Sequence, residues 1–205
     1  WHSADLAKLQ YVQRFNEIFL VHPNYKPKIL SKTASGFSVT DFAFYMNSDL
    51  SLNMPFMRFD DTKGITITIT TSDIDSNHAT FTTNADLWDN TWIGLRLLVN
   101  NKQWIIESVQ SARIITVYTN GTFTIPGTPL SDWWEAAVNN RRGWPPSVAF
   151  HQNRLVFGGT PSLPNNIWMS KVGEYNNFDV GSGLDDEAIF TSLDRKSGSA
   201  GMPRP

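Results

Sequence analysis

Hydrophobic and polar residues alternate along most of this chain, and the alternation predicts β-strands. It is strictest at residues 64–71, where Ile and Thr alternate as they do in a strand with one buried face. Residues 95–99 and 103–109 flank Asn100-Asn101-Lys102, which predicts a hairpin around an Asn-rich turn. The pattern therefore predicts an all-β protein. Further strands are predicted at residues 17–22, 28–33, 37–44, 78–82, 114–119 and within 150–158.

One stretch near the start of the chain has the spacing of a helix. Within residues 5–15, the apolar side chains of Leu6, Leu9 and Val12 recur at three-residue intervals. The same residues also fit a strand that begins near Leu9. The sequence leaves both structures open for this segment.

Two segments near opposite ends of the chain have the same order of elements. Residues 18–33 and 155–172 each contain an apolar strand, a Pro-containing turn or loop and a second strand that ends in Ser-Lys. The first turn is predicted at residues 23–27, where two prolines and an Asn favour it. A hairpin used twice is typical of stacked or radial β repeats such as propeller blades. We predict equivalent hairpins with Phe19 and Phe157 both buried.

Composition and charge restrict the classes of function. Hydrophobic residues make up 40% of the 205 residues and charged residues only 18%, against about 25% in typical domains. The net charge of −2 argues against a free-standing nucleic-acid binder. The chain has no Cys, which excludes disulfides and thiolate metal sites.

The ends of the chain suggest a piece of a longer protein. The chain begins with Trp1 and shows no signal-peptide pattern, so we expect that it was excised from something longer. No apolar run approaches the roughly 18 residues of a membrane-spanning helix, so no membrane insertion is expected. Residues 197–205 are rich in Gly, Ser and Pro and are predicted to form a flexible tail.

A family resemblance adds to this picture. The segment from Arg142-Gly143-Trp144-Pro145-Pro146 to Gly158-Gly159-Thr160, followed by Ile167-Trp168-Met169-Ser170-Lys171, resembles tail proteins of tailed bacteriophages that build the tube or nozzle. The strand followed by His22-Pro23 is similar to a second element of that family. The residues that carry the resemblance are His22, Pro23, Trp144, Pro145, Phe150, Arg154, Gly158, Gly159 and Ser170.

The resemblance implies a two-part architecture. Residues 1–61 and 134–196 are expected to form a discontinuous, propeller-like or sandwich β body. Residues 62–133 are expected to form a small inserted β-barrel, and the short, closely spaced strands of that segment fit a small barrel.

The resemblance also implies a structural function in the tail of the virion. The expected partners are copies of the same chain and neighbouring phage tail proteins, after synthesis in the cytoplasm of the bacterial host. DNA is expected only as passing cargo, and a weakly negative wall suits a channel that must not grip DNA. No cofactor is expected.

The acidic clusters provide little evidence for an enzyme. Residues 60–61 are adjacent carboxylates that fit a turn better than an acid–base pair. Residues 185–187 resemble part of an element of the same phage family and leave a minor cation-binding alternative. The segment from Asp73 begins like a calcium loop, but His78 stands where Gly is needed and Asn84 where Glu is needed. No histidine pair, nucleophile elbow or phosphate loop occurs. We therefore expect no catalytic residue and no metal site.

Two other functions remain as alternatives. The tryptophans Trp88, Trp92, Trp133 and Trp134 are candidate stacking platforms of a carbohydrate- or host-receptor-binding β module that also uses exposed Asn. Packing in the core is the competing interpretation of the same residues. A third, weaker hypothesis is a propeller-type glycosidase that relies on Asp60, Asp61 or Asp186. An exposed patch of Trp favours sugar binding, whereas a flat apolar sheet edge favours assembly.

Overall fold

β-strands are the dominant regular secondary structure of the chain in the computed structural model, which describes residues 2–72 and 74–193. The predicted all-β class is confirmed. The tail predicted at 197–205 and the end of the predicted body at 194–196 lie outside the described residues, as does Asp73. The elements are 3₁₀ helices at Ser3–Lys8, Asp60–Thr62 and Asn90–Trp92, and strands β1 (Gln10–Arg14), β2 (Glu17–His22), β3 (Tyr25–Thr33), β4 (Gly36–Asp41), β5 (Phe56–Met57), β6 (Ile67–Thr71), β7 (His78–Thr83), β8 (Arg96–Val99), β9 (Lys102–Ser111), β10 (Ile114–Tyr118), β11 (Trp133–Ala136), β12 (Ser147–His151), β13 (Arg154–Gly158), β14 (Asn166–Met169) and β15 (Ile189–Ser192).

The middle of the chain forms a curled, seven-stranded antiparallel sheet in the order β5-β11-β8-β9-β10-β7-β6. Alternation in β6 places Ile67 and Ile69 inside the curl and the threonines outside. Near the end of the curl, Leu130 and Ile67 exchange backbone hydrogen bonds of 2.7 and 2.8 Å. The sheet takes β5 and most of β11 from outside residues 62–133, the range predicted for the insertion.

Two more sheets are built from the ends of the chain. Each has four antiparallel strands in chain order, β1-β2-β3-β4 in one and β12-β13-β14-β15 in the other. Their first strands, β1 and β12, lie against each other. The outermost strands, β4 and β15, have no further strand beside them among the described residues.

The hydrophobic residues form two separate buried clusters. One fills the curl of the seven-stranded sheet, and all its fully buried members lie between Ile65 and Trp133. The other lies between the two four-stranded sheets and includes segments from both ends of the chain. Its buried members are Phe19, Val21, Phe42, Ala137, Val138, Trp144, Leu155, Phe157, Trp168 and Phe178.

The two predicted hairpins are both present. β2 pairs with β3 and β13 pairs with β14, so each hairpin is formed by the second and third strands of its four-stranded sheet. Phe19 and Phe157 are buried, as predicted. The connections differ in length, because Pro23 and Asn24 alone join β2 to β3, whereas a longer loop that contains Pro161 and Pro164 joins β13 to β14.

Two turns show how Asn shapes this fold. Asn100 and Asn101 have φ values of 53° and 57°, as a two-residue hairpin turn requires, which confirms the predicted hairpin. Gln152 and Asn153 have φ values of 47° and 59° and form the same kind of turn between β12 and β13. The strand predicted within residues 150–158 is present as β13, whereas the turn at Gln152-Asn153 and the strand β12 before it were not predicted. The sequence signal was weak because Gln, unlike Asn, is seldom found in the left-handed conformation that this turn requires.

Several predicted boundaries also need correction. The segment 5–15 is a 3₁₀ helix followed by strand β1, so the strand alternative is the better description. Pro27 lies within β3 and not in the preceding turn, because the turn needs only two residues. The predicted strands 64–71 and 37–44 are shorter, since β6 begins at Ile67 and β4 ends at Asp41.

Candidate functional site

Three of the four tryptophans considered as stacking platforms lie in the core of the seven-stranded sheet. Trp88, Trp92 and Trp133 are at most 3% exposed. The rings of Trp88 and Trp92 meet edge to face with centroids 4.8 Å apart, and the Trp133 indole nitrogen donates to the Ile65 carbonyl at 2.9 Å. Trp134 is half-buried on the opposite side of β11. A buried ring has no free face for a sugar, so Trp88, Trp92 and Trp133 do not form an exposed platform.

Several of the residues that carry the family resemblance form contacts between the two ends of the chain. The backbone N–H of Trp144 donates to the carbonyl of Pro23 at 2.9 Å, which joins the two turns directly. The rings of Phe150 and Phe19 meet edge to face with centroids 5.5 Å apart. His22 is buried, and its Nδ1 accepts the backbone N–H of the turn residue Asn24 at 3.1 Å. Pro145, which follows Trp144, is also buried. These contacts hold both ends of the chain together.

Arg154 and Ser170 organise the last sheet. The buried Arg154 guanidinium donates to the backbone carbonyls of Ser170, at 2.7 Å, and of Asp185 and Glu187. The Ser170 hydroxyl accepts the backbone N–H of Leu155 at 2.9 Å. An arginine that donates to carbonyls fixes the path of the chain, so this cluster anchors the loop that precedes β15.

The two glycines of the motif pack tightly. A Cβ at Gly158 would lie 2.3 Å from the hydroxyl oxygen of Ser147. Gly159 has a φ of +65°, and a Cβ there would lie 2.9 Å from the carbonyl oxygen of Pro164. A side chain at either position would therefore force its surroundings to move.

The acidic residues have local partners. Asp60 pairs with Lys63 at 2.5 Å, and Asp61 pairs with Arg142. Glu187 accepts the backbone N–H groups of Gly183 and Leu184 at 2.7 and 2.9 Å. Those backbone hydrogen bonds, that of Leu184 first, hold the pKa of Glu187 below its usual value.

Asp185 and Asp186 are exposed beside that loop, where the carbonyl of Asp186 accepts the backbone N–H of Val172. Over residues 2–72 and 74–193, no group of three His, Asp or Glu side chains has the arrangement of a metal site.

A buried ionic network lies where the middle of the chain meets the rest. Arg142 donates to both oxygens of Asp61 at 2.9 Å, and its Nε donates to Glu135 at 2.8 Å. The side-chain oxygen of Asn139 accepts the backbone N–H groups of Arg141 and Arg142 at 2.8 and 2.7 Å. Hydrogen bonds from Arg142 lower the pKa of Asp61. The network therefore joins the exit from the first part of the chain to the return after β11.

This network was not predicted from the sequence, where the Asp pair at residues 60–61 indicated only a turn. The one feature of the sequence that could have indicated the network is the pair of adjacent arginines, Arg141 and Arg142, a few residues after Glu135. No local pattern links Arg142 to Asp61, because these partners are 81 residues apart in the sequence.

The outer strands of the four-stranded sheets carry exposed apolar side chains. On the β4 edge, Phe37 and Val39 are 74% and 59% exposed. On the β15 edge, Ile189 and Phe190 are 42% and 41% exposed. β15 has no charged residue, and β4 has only Asp41 at its end. Natural sheet edges are usually protected by charges, prolines or a covering element, so these edges are candidate contact surfaces.

Comparison with known protein families and with curated proteins finds no match for this chain. Within the part of the chain that the structure describes, no helix is long and apolar enough to cross a membrane. The function is therefore inferred from the geometry of the molecule.

Proposed function

We propose that this chain is a structural part of a bacteriophage tail, of the tube or nozzle type. It acts by assembling with copies of itself and with neighbouring tail proteins in the virion, and DNA passes it only as cargo. The observation that carries this proposal is the pair of outer strands, β4 and β15, which expose apolar side chains and contain a single charged residue, Asp41. Unpaired backbone groups beside exposed Phe and Ile are suited to contact with another subunit.

The finer architecture belongs to the same proposal. The two four-stranded sheets are propeller-like blades, and support comes from their identical chain order and from the contact between β1 and β12. Two blades are too few to close a propeller, so further blades come from neighbouring chain segments or subunits. The curled seven-stranded sheet is the inserted barrel, and its self-contained cluster of buried residues supports that assignment.

Sedimentation velocity over a wide range of concentrations tests the assembly proposal. We expect concentration-dependent association of the wild type, and we expect Phe37→Lys and Ile189→Lys to shift the chain toward monomer. Ile125→Lys is the matched control, because Ile125 is 40% exposed and lies away from both edges. A wild type that stays monomeric at every concentration would overturn the proposal, and so would equal effects of all three variants.

A second candidate function is a carbohydrate-binding module, and one observation favours it. A polar cavity of about 390 Å³ surrounds the β8–β9 turn and is lined by Asn100, Asn101 and Asn120 together with several Thr side chains. Amides and hydroxyls are suited to hydrogen bonds with sugar hydroxyls. In this second candidate function, the cavity around the β8–β9 turn is the sugar-binding site.

A further inference from the structure

Arg96 has an incomplete set of partners. Its side chain is half-buried on strand β8, and none of the ion pairs among the described residues includes it. Among residues 2–72 and 74–193, the Arg96 side chain forms one hydrogen bond, from Nη1 to Gln103 Oε1, and it is long at 3.4 Å. A guanidinium has five donors, so most of its hydrogen-bonding capacity is unused within the described chain.

The side-chain amide of Gln103 already forms hydrogen bonds with the backbone. Its amide oxygen accepts the N–H of Leu52 at 2.9 Å, and its amide nitrogen donates to the Leu52 carbonyl at 2.8 Å. This pairing holds the segment around Leu52 against the sheet and leaves Gln103 a poor partner for Arg96. Burial lowers the pKa of the Arg96 guanidinium, and its ionisable neighbour is the phenol of Tyr118. A partly desolvated cation without an anion is a costly arrangement that a bound anion would relieve.

Arg96 lines the polar cavity around the β8–β9 turn. The other charged residues of the lining are Lys102 and Asp49. The Asp49 carboxylate accepts the backbone N–H and the hydroxyl of Ser51 at 3.1 and 2.6 Å, and Lys102 is the cation that acts on it. Asp49 and Lys102 therefore offset each other, and Arg96 leaves the cavity with an excess positive charge.

We propose that this cavity binds the carboxylate of an acidic sugar through Arg96. The planar guanidinium fork matches a carboxylate and donates a hydrogen bond to each of its two oxygens. Asn100, Asn120 and the hydroxyl of Tyr118 supply partners for sugar hydroxyls around the same space. The volume of about 390 Å³ falls in the range of roughly 300–1,000 Å³ that is usual for small-ligand sites. The inference rests on the second candidate function and is independent of the β4 and β15 edges.

Calorimetric and NMR titrations of the full chain with three small ligands test the proposal. Glucuronate carries a carboxylate and sugar hydroxyls, glucose carries only the hydroxyls, and acetate carries only the carboxylate. We expect glucuronate to bind at least about tenfold more tightly than glucose or acetate, because a charge-assisted pair adds to the hydroxyl contacts. Amide shifts should concentrate at residues 96–103 and 118–124.

Arg96→Gln should abolish the preference for glucuronate over glucose. Arg113→Gln is the matched control, since it removes the same charge from an exposed arginine that pairs with Asp86 outside the cavity. Circular dichroism should show that both variants keep the wild-type fold. Equal binding of glucuronate and glucose, or a preference that survives Arg96→Gln, overturns the acidic-sugar inference but leaves carbohydrate binding intact. Absence of binding by all three ligands overturns both.

Discussion

The Nη2 atom of Arg142 lies 2.7 Å from the Oε2 atom of Glu135, where the segment after β11 returns to the end sheets. Glu135 is fully buried, and the Arg142 guanidinium also covers the ring of Phe59 at 3.7 Å. A buried carboxylate keeps its charge at low cost only when a partner neutralises it. The pair therefore makes the junction between the two cores sensitive to single substitutions.

Arg142→Met should lower the free energy of unfolding by about 3–5 kcal/mol, because it leaves Glu135 buried without its strongest partner. Chemical denaturation followed by tryptophan fluorescence measures the change. Arg113→Met is the control, since Arg113 and Asp86 form an exposed pair and their loss should cost less than about 1 kcal/mol. Adding Glu135→Gln to Arg142→Met should recover part of the loss. Equal costs for the two arginine substitutions would contradict this account of the junction.

A fragment of residues 62–133 should fold by itself. The fully buried members of the cluster inside the curl lie between Ile65 and Trp133, so the fragment retains that entire set. We expect dispersed amide NMR signals and a cooperative thermal transition. Trp133→Ala in the same fragment should cost about 3–5 kcal/mol, because it removes a buried ring and its hydrogen bond to Ile65. Collapsed amide signals from the unsubstituted fragment would show that the segment depends on the rest of the chain.

His78 should make stability depend on pH. Its Nδ1 lies 2.7 Å from Asp75 and its Nε2 lies 3.3 Å from Glu107. The hydrogen bond with Asp75, followed by the charges of both carboxylates, raises the pKa of His78 above its usual value. The folded state holds the His78 proton more tightly than the unfolded state, so protonated His78 stabilises the fold. This stabilisation is complete below about pH 6.5 and is lost as pH rises through the pKa of His78 in the folded state.

The contact between His78 and Asp75 also predicts a loss of stability at acidic pH. The hydrogen bond from His78 lowers the pKa of Asp75, so the contribution of Asp75 is present above its unfolded pKa and disappears as pH falls through the folded one. Denaturation midpoints measured between pH 3 and pH 9 give stability as a function of pH, with a loss on the alkaline side and a loss on the acidic side. His78→Gln should reduce the alkaline loss, and Asp75→Asn should reduce both losses. If the alkaline loss of stability is unchanged in His78→Gln, it arises from groups other than His78.

Gly159→Ala should destabilise the last sheet. The residue has a positive φ of +65°, and the added Cβ would lie 2.9 Å from the backbone oxygen of Pro164. The left-handed backbone alone costs about 1–2 kcal/mol for a residue with a side chain, and the contact adds to it. Gly127→Ala is the matched control, because a Cβ there meets nothing within 4 Å. Thermal denaturation compares the two, and a loss of the same size in both variants would remove the steric explanation.

Much of the local structure followed from the sequence. Alternation of Ile and Thr in β6 placed one face inside because side chains on a strand point to opposite sides in turn. The Asn100-Asn101 turn was also predictable, since Asn tolerates the left-handed conformation that a two-residue hairpin needs. The turn at Gln152 was not predicted, because Gln seldom occupies the left-handed conformation of a two-residue hairpin turn. The pairing of β12 with β13 imposes that conformation here.

Which side chains are buried and which charges pair with each other depended on the tertiary structure. The sequence determined that Trp92 is a large aromatic ring, but only the curl of the sheet decided that this ring lies in the core and not on the surface. The sequence likewise contained Asp61, Glu135 and Arg142 without any pattern that joins them. Charges far apart in the chain interact only when folding brings them within a few ångströms, because the Coulomb energy depends on their distance and on the removal of water around them. Alternation acts between neighbouring residues and can be recognised in the sequence, whereas an ionic network exists only after the sheets have packed.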